Sequence, residues 1–206
     1  MSYRTWIFRL NVDGGSGDPE AFCPVDLNKE KIREYKKRVK PLKNNDNSKY
    51  INKNFLIEEL FEHGRLRQGW GWEYDNLKYN DLNLDLRQDE KEWYENYIML
   101  AHKIWEDDVY CEEAVGRRNI LAQMLEMKKE DIIFIPKIPE DSKFTVVKVK
   151  SKYYFRVPPE KCVHGHVIDV GDLRTFNYEN TNIECGLSAI KFRPYLEKGK
   201  LFEQLC

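Results

Sequence analysis

The residues best suited to chemistry lie in one short stretch, 64–72, with the sequence Gly-Arg-Leu-Arg-Gln-Gly-Trp-Gly-Trp. Its glycines allow a ligand to approach the main chain closely. Arg65 and Arg67 offer planar donor groups that suit phosphates or base edges, and Trp70 and Trp72 offer flat faces. Together these residue types suit a flat, anionic, hydrogen-bonding ligand such as a nucleotide. The alternative is a tight turn whose tryptophans fill the core.

Further candidates for contacts with such a ligand share a flat ring or a hydrogen-bonding group, and they are Trp6, Gln68, Arg117, Arg118, Asn119 and His166. Trp6 is the next stacking candidate after the two tryptophans of the stretch. The arginines suit phosphates or base edges, and the two amides suit a base edge. The alternatives are a solvated helix face for the arginines, a bracing role for Asn119 and support of neighbouring backbone for His166.

The spacing of Trp70 and Trp72 limits where their rings can point. An extended backbone places residues two apart on the same side. Either both rings face a pocket, or a twist at the glycines turns one of them into the core. The sequence leaves both arrangements open.

The sequence gives little support for a metal site or for nucleotide hydrolysis. The glycines between residues 13 and 19 match neither GxGxxG nor GxxxxGK[ST]. The five cysteines are scattered without a CxxC pair, which predicts reduced, structural thiols rather than a disulfide framework. Cys162, His164 and His166 would need distant partners to bind a metal. We therefore predict no metal, no cofactor and no catalytic residue.

The elements that would position the candidates follow from local patterns. Alternating residues predict a strand at 3–12. Helices are predicted at 27–39 with Asn28 as N-cap, at 55–62 with a stop at Gly64, at 90–105 after Asp89, and at about 111–127. Strands are predicted at 131–136, 144–149, 152–157 and 165–170. Their short links favour a small curled antiparallel sheet or barrel, with the helices packed at its rim.

Length and charge set broad limits on the protein. A chain of 206 residues fits one domain with an elaboration, or two small domains. An acidic block at 73–113 lies between basic segments at 28–67 and 114–156, which favours a polyanion at the basic flanks while the block faces elsewhere. No apolar run approaches the roughly 20 residues of a membrane span, and the N-terminus has no signal-peptide pattern. These features predict a cytoplasmic protein without a membrane partner.

The run from Gly116 to Pro136, Gly-Arg-Arg-Asn-Ile-Leu-Ala-Gln-Met-Leu-Glu-Met-Lys-Lys-Glu-Asp-Ile-Ile-Phe-Ile-Pro, resembles the PUA-like superfamily and most closely its EVE-type domains. In those domains an Arg-Asn helix leads to a Met-Lys-x-Gly-Asp turn and an apolar strand. The stretch 64–72 takes the place of their tryptophan-bearing ligand loop, and 165–170 is similar to their returning barrel strand. Glu130 replaces the turn glycine, and the acidic segment at about 73–110 looks like a helical insertion in a single domain spanning 1–206.

The resemblance implies an α+β pseudo-barrel with an aromatic-lined pocket. Relatives of the YTH and SRA branches bind chemically modified bases in RNA or DNA, and bacterial EVE-like modules serve as specificity domains of restriction systems. We therefore expect a non-catalytic nucleic-acid-binding domain, with DNA or RNA as its partner, that accepts a flipped and modified base in a defence or restriction system. Base flipping costs a few kcal/mol, which stacking on an aromatic face offsets by about 1–3 kcal/mol per base.

Two other classes stay open. An ASCH-like ribonuclease, from the same superfamily, would use Lys or Arg together with Glu or Asp near the pocket. Asp131, Glu140 and Lys150 match a nuclease core only at chance level and lack its strand context. A protein-interaction module would instead use the acidic segment 73–113 as its contact face for a protein partner.

Overall fold

A computed structural model of the protein describes residues 4–10, 23–38, 53–71, 73–74, 82–105, 111–157, 164–178 and 196–198. The helices of this part are α1 (Lys29–Arg38), α2 (Lys53–Phe61), α3 (Glu90–Trp105) and α4 (Cys111–Glu126). Its strands are β1 (Thr5–Phe8), β2 (Arg65–Gln68), β3 (Glu73–Tyr74), β4 (Leu82–Asn83), β5 (Ile132–Pro136), β6 (Lys143–Val149), β7 (Tyr154–Phe155), β8 (His166–Asn177) and β9 (Leu196–Lys198). The structure is α+β, with a curled half-barrel sheet, as the sequence predicts at this coarse level.

The main sheet has the strand order β2-β8-β6-β5-β1-β9, and β7 also pairs with β8. Most neighbours are antiparallel, but β1 runs parallel to β5, so the sheet is mixed rather than purely antiparallel. β8 is 12 residues long, twice the predicted strand. Its C-terminal part pairs with β6, and its N-terminal part lies between β2 and β7. Most of the candidate residues gather around that N-terminal part.

Side-chain caps and a glycine set the helix ends that the sequence predicts. The Asn28 carboxamide oxygen accepts a hydrogen bond from the Lys31 amide at 2.9 Å, and the Asp89 carboxylate accepts one from the Lys91 amide at 2.9 Å. Both satisfy amides of a first helical turn. Beyond α2, Gly64 has a φ of 61°, a conformation that glycine adopts without a Cβ penalty. The chain therefore turns from α2 directly into β2.

Helix α3 lies at the centre of the core. Every residue from Trp93 to Ala101 is buried, so this part of the helix is enclosed on all sides. The Trp93 indole nitrogen donates to the Leu84 carbonyl at 2.9 Å, and its ring stacks on that of Tyr97 at 5.3 Å between centroids. The 82–89 segment is thus anchored to α3 through buried contacts.

The acidic block does not simply face away from the basic flanks. Glu95 of α3 is buried, and its carboxylate lies 3.0 Å from the Lys31 ammonium of α1. Glu90 lies 2.5 Å from the Arg118 guanidinium of α4. Part of the charge segregation in the sequence is therefore neutralised within the fold, and only the remaining exposed cations are available to a polyanion.

The prediction of reduced cysteines is wrong for one pair, since Cys23 and Cys111 form a disulfide with a Cα–Cα distance of 5.5 Å. The two residues are 88 positions apart in sequence, so no local spacing of cysteines predicts the bond. Packing of α1 on α3, and of α3 on α4, brings the segment before α1 to the first residue of α4. Disulfides form and persist mainly in oxidising compartments. This bond therefore does not support the cytoplasmic location, which stays a prediction.

The turn before β5 combines an unusual backbone with a buried carboxylate. Glu130 has a φ of 74°. Asp131 accepts hydrogen bonds from the amides of Arg4 and Lys128 at 3.0 Å each and from the Trp6 indole at 2.9 Å. Burial alone would raise the pKa of Asp131, but these hydrogen bonds and the Arg4 charge lower it overall. The carboxylate therefore ties β1 to the turn.

Candidate functional site

The stretch 64–72 is not a loop throughout, because its first half forms strand β2. Arg65, Leu66, Arg67 and Gln68 pair with β8 in antiparallel register, with Gln68 opposite His166. Opposed residues of antiparallel strands project to the same side, so the buried side chains of Gln68 and His166 share the inner face of the sheet. The tryptophan turn begins where this pairing ends.

Trp70 occupies a strained backbone conformation at the end of β2. Its φ is 58°, in the left-handed region that is an outlier for a bulky residue and costs roughly 1–2 kcal/mol. The side chain is partly buried. Such strain persists only where the surroundings fix the conformation, and it is concentrated at binding and active sites.

A close backbone approach follows the tryptophan. Gly71 bridges to the 164–166 segment, with its carbonyl oxygen 2.9 Å from the Gly165 amide. A Cβ on Gly71 would lie 2.6 Å from the Gly165 nitrogen, and a Cβ on Gly165 would lie 2.7 Å from the Phe155 ring. Both glycines are therefore required sterically, and their contact fixes the far side of the Trp70 turn.

Arg117 of α4 holds the Trp70 ring from the other direction. Its guanidinium carbon lies 4.2 Å from the ring centroid, within the range of a cation–π contact. Its Nη2 is 3.5 Å from the Glu113 carboxylate one turn earlier, and the arginine side chain is buried. The contact joins a buried cation of α4 to an aromatic ring at the end of β2.

His166 lies opposite Gln68 on β8 and is buried in the core of the half-barrel sheet. The ring is fully buried, and its Nδ1 lies 2.9 Å from the Tyr153 hydroxyl. That hydroxyl also accepts a hydrogen bond from the Leu86 amide at 3.2 Å. Burial lowers the pKa of His166 to about 3, against the opposing influences of the Trp70 backbone and the Asp85 charge. The imidazole is therefore neutral at physiological pH and is tied to Tyr153 within the core.

Arg65 and Arg67 lie on the opposite face of β2, against α2. Arg67 is buried; its Nε donates to the Glu59 carboxylate, and its Nη1 donates to the carbonyls of Arg156 at 2.9 Å and His164 at 3.0 Å. Arg65 lies 3.2 Å from the same carboxylate but keeps part of its side chain exposed. Arg67 is thus a cross-link between α2 and the sheet in this structure.

The other sequence candidates are dispersed. Trp6 is fully buried with its indole nitrogen on Asp131, so it has no accessible face for stacking. Arg118 is buried against Glu90 and donates to the Leu86 carbonyl at 3.4 Å. Asn119 is exposed on α4. Trp72 lies outside the described residues.

The structure therefore brings together four of the predicted residues, namely Gln68, Trp70, Arg117 and His166. It adds Tyr153, Phe155 and Gly165, which sequence reasoning missed as site residues. Phe155 makes an edge contact with the His166 ring at 5.4 Å between centroids. A signal for these residues was present, because the aromatic run at 153–155 precedes the two histidines by a short link, but only strand pairing shows that they meet.

Among the residues that the structure describes, no group of three or more His, Cys, Asp or Glu side chains is arranged to hold a metal ion. Within the same residues no helix is both long and apolar enough to cross a membrane. Comparison of the chain with protein-family models, with curated proteins and with solved structures finds no match. The geometry of the Trp70 turn is therefore the feature from which a function can be inferred.

Proposed function

We propose that this protein is a non-catalytic nucleic-acid-binding domain that holds one base at the Trp70 turn. The observation that carries the proposal is a strained, partly exposed tryptophan whose ring is held by Arg117 and whose backbone leads into Gly71, which is fixed against the 164–166 segment. A ring fixed before binding loses little entropy when a ligand stacks on it. The accessible part of the indole is the proposed stacking surface.

The surroundings of Trp70 suit a base better than a simple apolar ligand. Arg117 supplies a cation beside the ring, whereas Gln68 and His166 are buried and do not contact the ligand directly. Base edges carry acceptors that pair with arginine donors. Stacking on an aromatic ring contributes about 1–3 kcal/mol per base, enough to offset extraction of a weakly paired base.

A modified base is the expected ligand because the EVE-type resemblance implies it, and a restriction or defence role is proposed on the same ground. The test is equilibrium binding to a panel of RNA and DNA strands that differ only in one modified base. The proposal expects salt-sensitive binding to at least one strand and weaker binding to its unmodified partner. Binding to none of the nucleic acids would overturn it.

The same samples test the two other classes. An ASCH-like ribonuclease would shorten labelled RNA, whereas the proposal expects intact strands after prolonged incubation with divalent cations. Glu59 is engaged by both Arg65 and Arg67, which lie on the face of β2 that is turned away from the proposed base site. The protein-interaction class has little support from α3, since that helix is buried from Trp93 to Ala101.

A further inference from the structure

A groove lies beside α1, away from the inner sheet face. It has a volume of about 840 Å³, within the range of about 300–1,000 Å³ usual for ligand sites. One wall carries four cationic side chains of α1, and the floor is apolar with contributions from α3. The lining residues used below are Lys29, Arg33, Lys36, Lys37, Ile32 and Ile98.

We propose that this groove binds the phosphodiester backbone of the single strand whose base is held at the Trp70 turn, an inference that rests on the proposed function. Lys29, Arg33 and Lys37 are exposed and follow one another every four residues. On a helix that spacing is about 6 Å along one row, comparable with the separation of successive phosphates in an extended strand. The three cationic side chains are therefore spaced so that each can lie close to one phosphate of the strand.

The charges that face this row leave it positive. Asp26 and Glu112 also line the groove, against the four cations of α1. Arg33 lies 3.9 Å from Glu30 with both side chains largely exposed. Exposed pairs of this kind contribute little, so the arginine can exchange its partner for a phosphate at small cost.

Other polyanionic surfaces fit less well. A membrane-binding helix needs an apolar face directed at the lipid, but the apolar face of α1 is turned inwards, with Tyr35 buried and Ile32 packed against the core. An acidic peptide shares the charge of a nucleic acid but lacks the fixed repeat of its phosphates. A nucleic-acid strand is therefore the ligand that best matches this row of cations.

Helix α4 connects the groove with the base site. Cys111 lines the groove at the first turn of α4, and Arg117 contacts Trp70 further along. Six residues advance about 9 Å along a helix and turn to a different side of it. A strand that occupies both sites must cross α4, so a mononucleotide reaches Trp70 alone whereas a longer strand also reaches the groove.

The experiment measures binding of an abasic deoxyribose-phosphate strand, and of the same strand carrying its bases, as a function of salt. The variant Lys29→Gln/Arg33→Gln/Lys37→Gln is compared with Lys91→Gln/Lys129→Gln/Arg174→Gln, which neutralises three exposed cations elsewhere. Each phosphate contact contributes about 0.7 to the salt slope for single strands. The groove variant should lower the slope by about 2 on both strands, and the control variant should leave it unchanged.

The outcomes separate this inference from the proposed function. Equal salt slopes for the parent and the groove variant would rule out binding of the strand in the groove. The absence of salt-dependent binding of the abasic strand by the parent would rule it out as well. Equal displacement of the strand by polyglutamate at the same charge concentration would also overturn it. Trp70→Ala should bind the abasic strand as the parent does, so a loss confined to the base-bearing strand concerns the Trp70 site alone.

Discussion

The guanidinium of Arg117 lies over the ring of Trp70, with 4.2 Å between its central carbon and the ring centroid. This contact joins α4 to the end of β2 at a residue whose backbone is in the left-handed region. The side chain is therefore held by one helix while the backbone is fixed by Gly71 and the segment after His164. A preformed ring is the basis of each functional expectation for this protein.

The strain at Trp70 predicts that substitution by glycine destabilises the protein less than substitution by alanine. Trp70→Gly and Trp70→Ala remove the same ring and cation–π contact, but only alanine keeps a Cβ at a φ of 58°. The glycine variant should be the more stable by about 1 kcal/mol, measured as the free energy of unfolding in denaturant. An alanine variant as stable as the glycine variant would show that the backbone is not strained.

The buried His166 predicts a pH dependence of stability. Because its pKa in the folded state is lowered to about 3, the stability associated with its neutral form is fully present above about pH 6.5. That stability is lost as the pH falls below the unfolded value, by up to about 1.4 kcal/mol per pH unit. Denaturant titrations at pH 7, 6 and 5 should show a steeper loss for the parent than for His166→Gln.

The other histidines are common to both proteins in this comparison, so their contributions cancel. The pKa values of Asp85 and Asp131 are lowered from ordinary carboxylate values, which places their effects at more acidic pH. Parallel stability curves for parent and variant between pH 7 and 5 would contradict a buried neutral imidazole.

Glu130 gives a second prediction about a residue with positive φ, and it has the same sign as the one for Trp70. It has a φ of 74°, and its contact with Lys148 at 3.8 Å is exposed and worth little. Glu130→Gly should be more stable than Glu130→Ala by about 1 kcal/mol, because only glycine avoids the Cβ penalty. Thermal and denaturant unfolding measure this difference, and equal stability of the two variants would refute the assigned backbone conformation.

The Cys23–Cys111 bond should contribute substantially to stability. A cross-link that closes a loop of this length constrains the unfolded chain, by typically 2–4 kcal/mol. Cys23→Ser/Cys111→Ser should therefore unfold at lower denaturant concentration than the oxidised parent, and reductant should lower the parent to a similar value. Peptide mapping without reduction should recover the two cysteines in one linked fragment; free thiols at both positions would contradict the bond.

Local patterns predict the helices and most strands because caps, glycines and periodic burial act over a few residues. Asn28, Asp89 and Gly64 mark helix ends that the structure confirms. Patterns of this kind do not show β2, since four residues rich in arginine acquire strand structure only by pairing with β8. They also cannot show the parallel pairing of β1 with β5, which depends on long-range packing.

The candidate site was predictable in part for the same reason. Residue type alone suggests ligand contact for both Trp70 and Trp6, but Trp70 is partly exposed whereas Trp6 lies fully buried on Asp131. Arg67 has the same donors as Arg117, but it donates them to the Glu59 carboxylate and to two backbone carbonyls. Residue type indicates what a side chain can bind, and packing decides whether a ligand can reach it.

The measurement that tests the central claim most directly is a double-mutant cycle between Trp70 and the bound base. Parent and Trp70→Ala are titrated with a strand that carries the preferred base and with the same strand made abasic at that position. Phe176→Ala, which removes a partly exposed ring near the opposite end of β8, serves as the aromatic control. Circular dichroism establishes that each variant is folded.

The base-stacking account predicts that removing Trp70 or removing the base each weakens binding by about ten- to hundredfold. It further predicts that both changes together weaken it no more than either alone, because both remove one interaction, while Phe176→Ala binds as the parent does. Losses that simply multiply, or a Trp70→Ala variant that binds the base-bearing strand as tightly as the parent, would contradict a base held at the Trp70 turn.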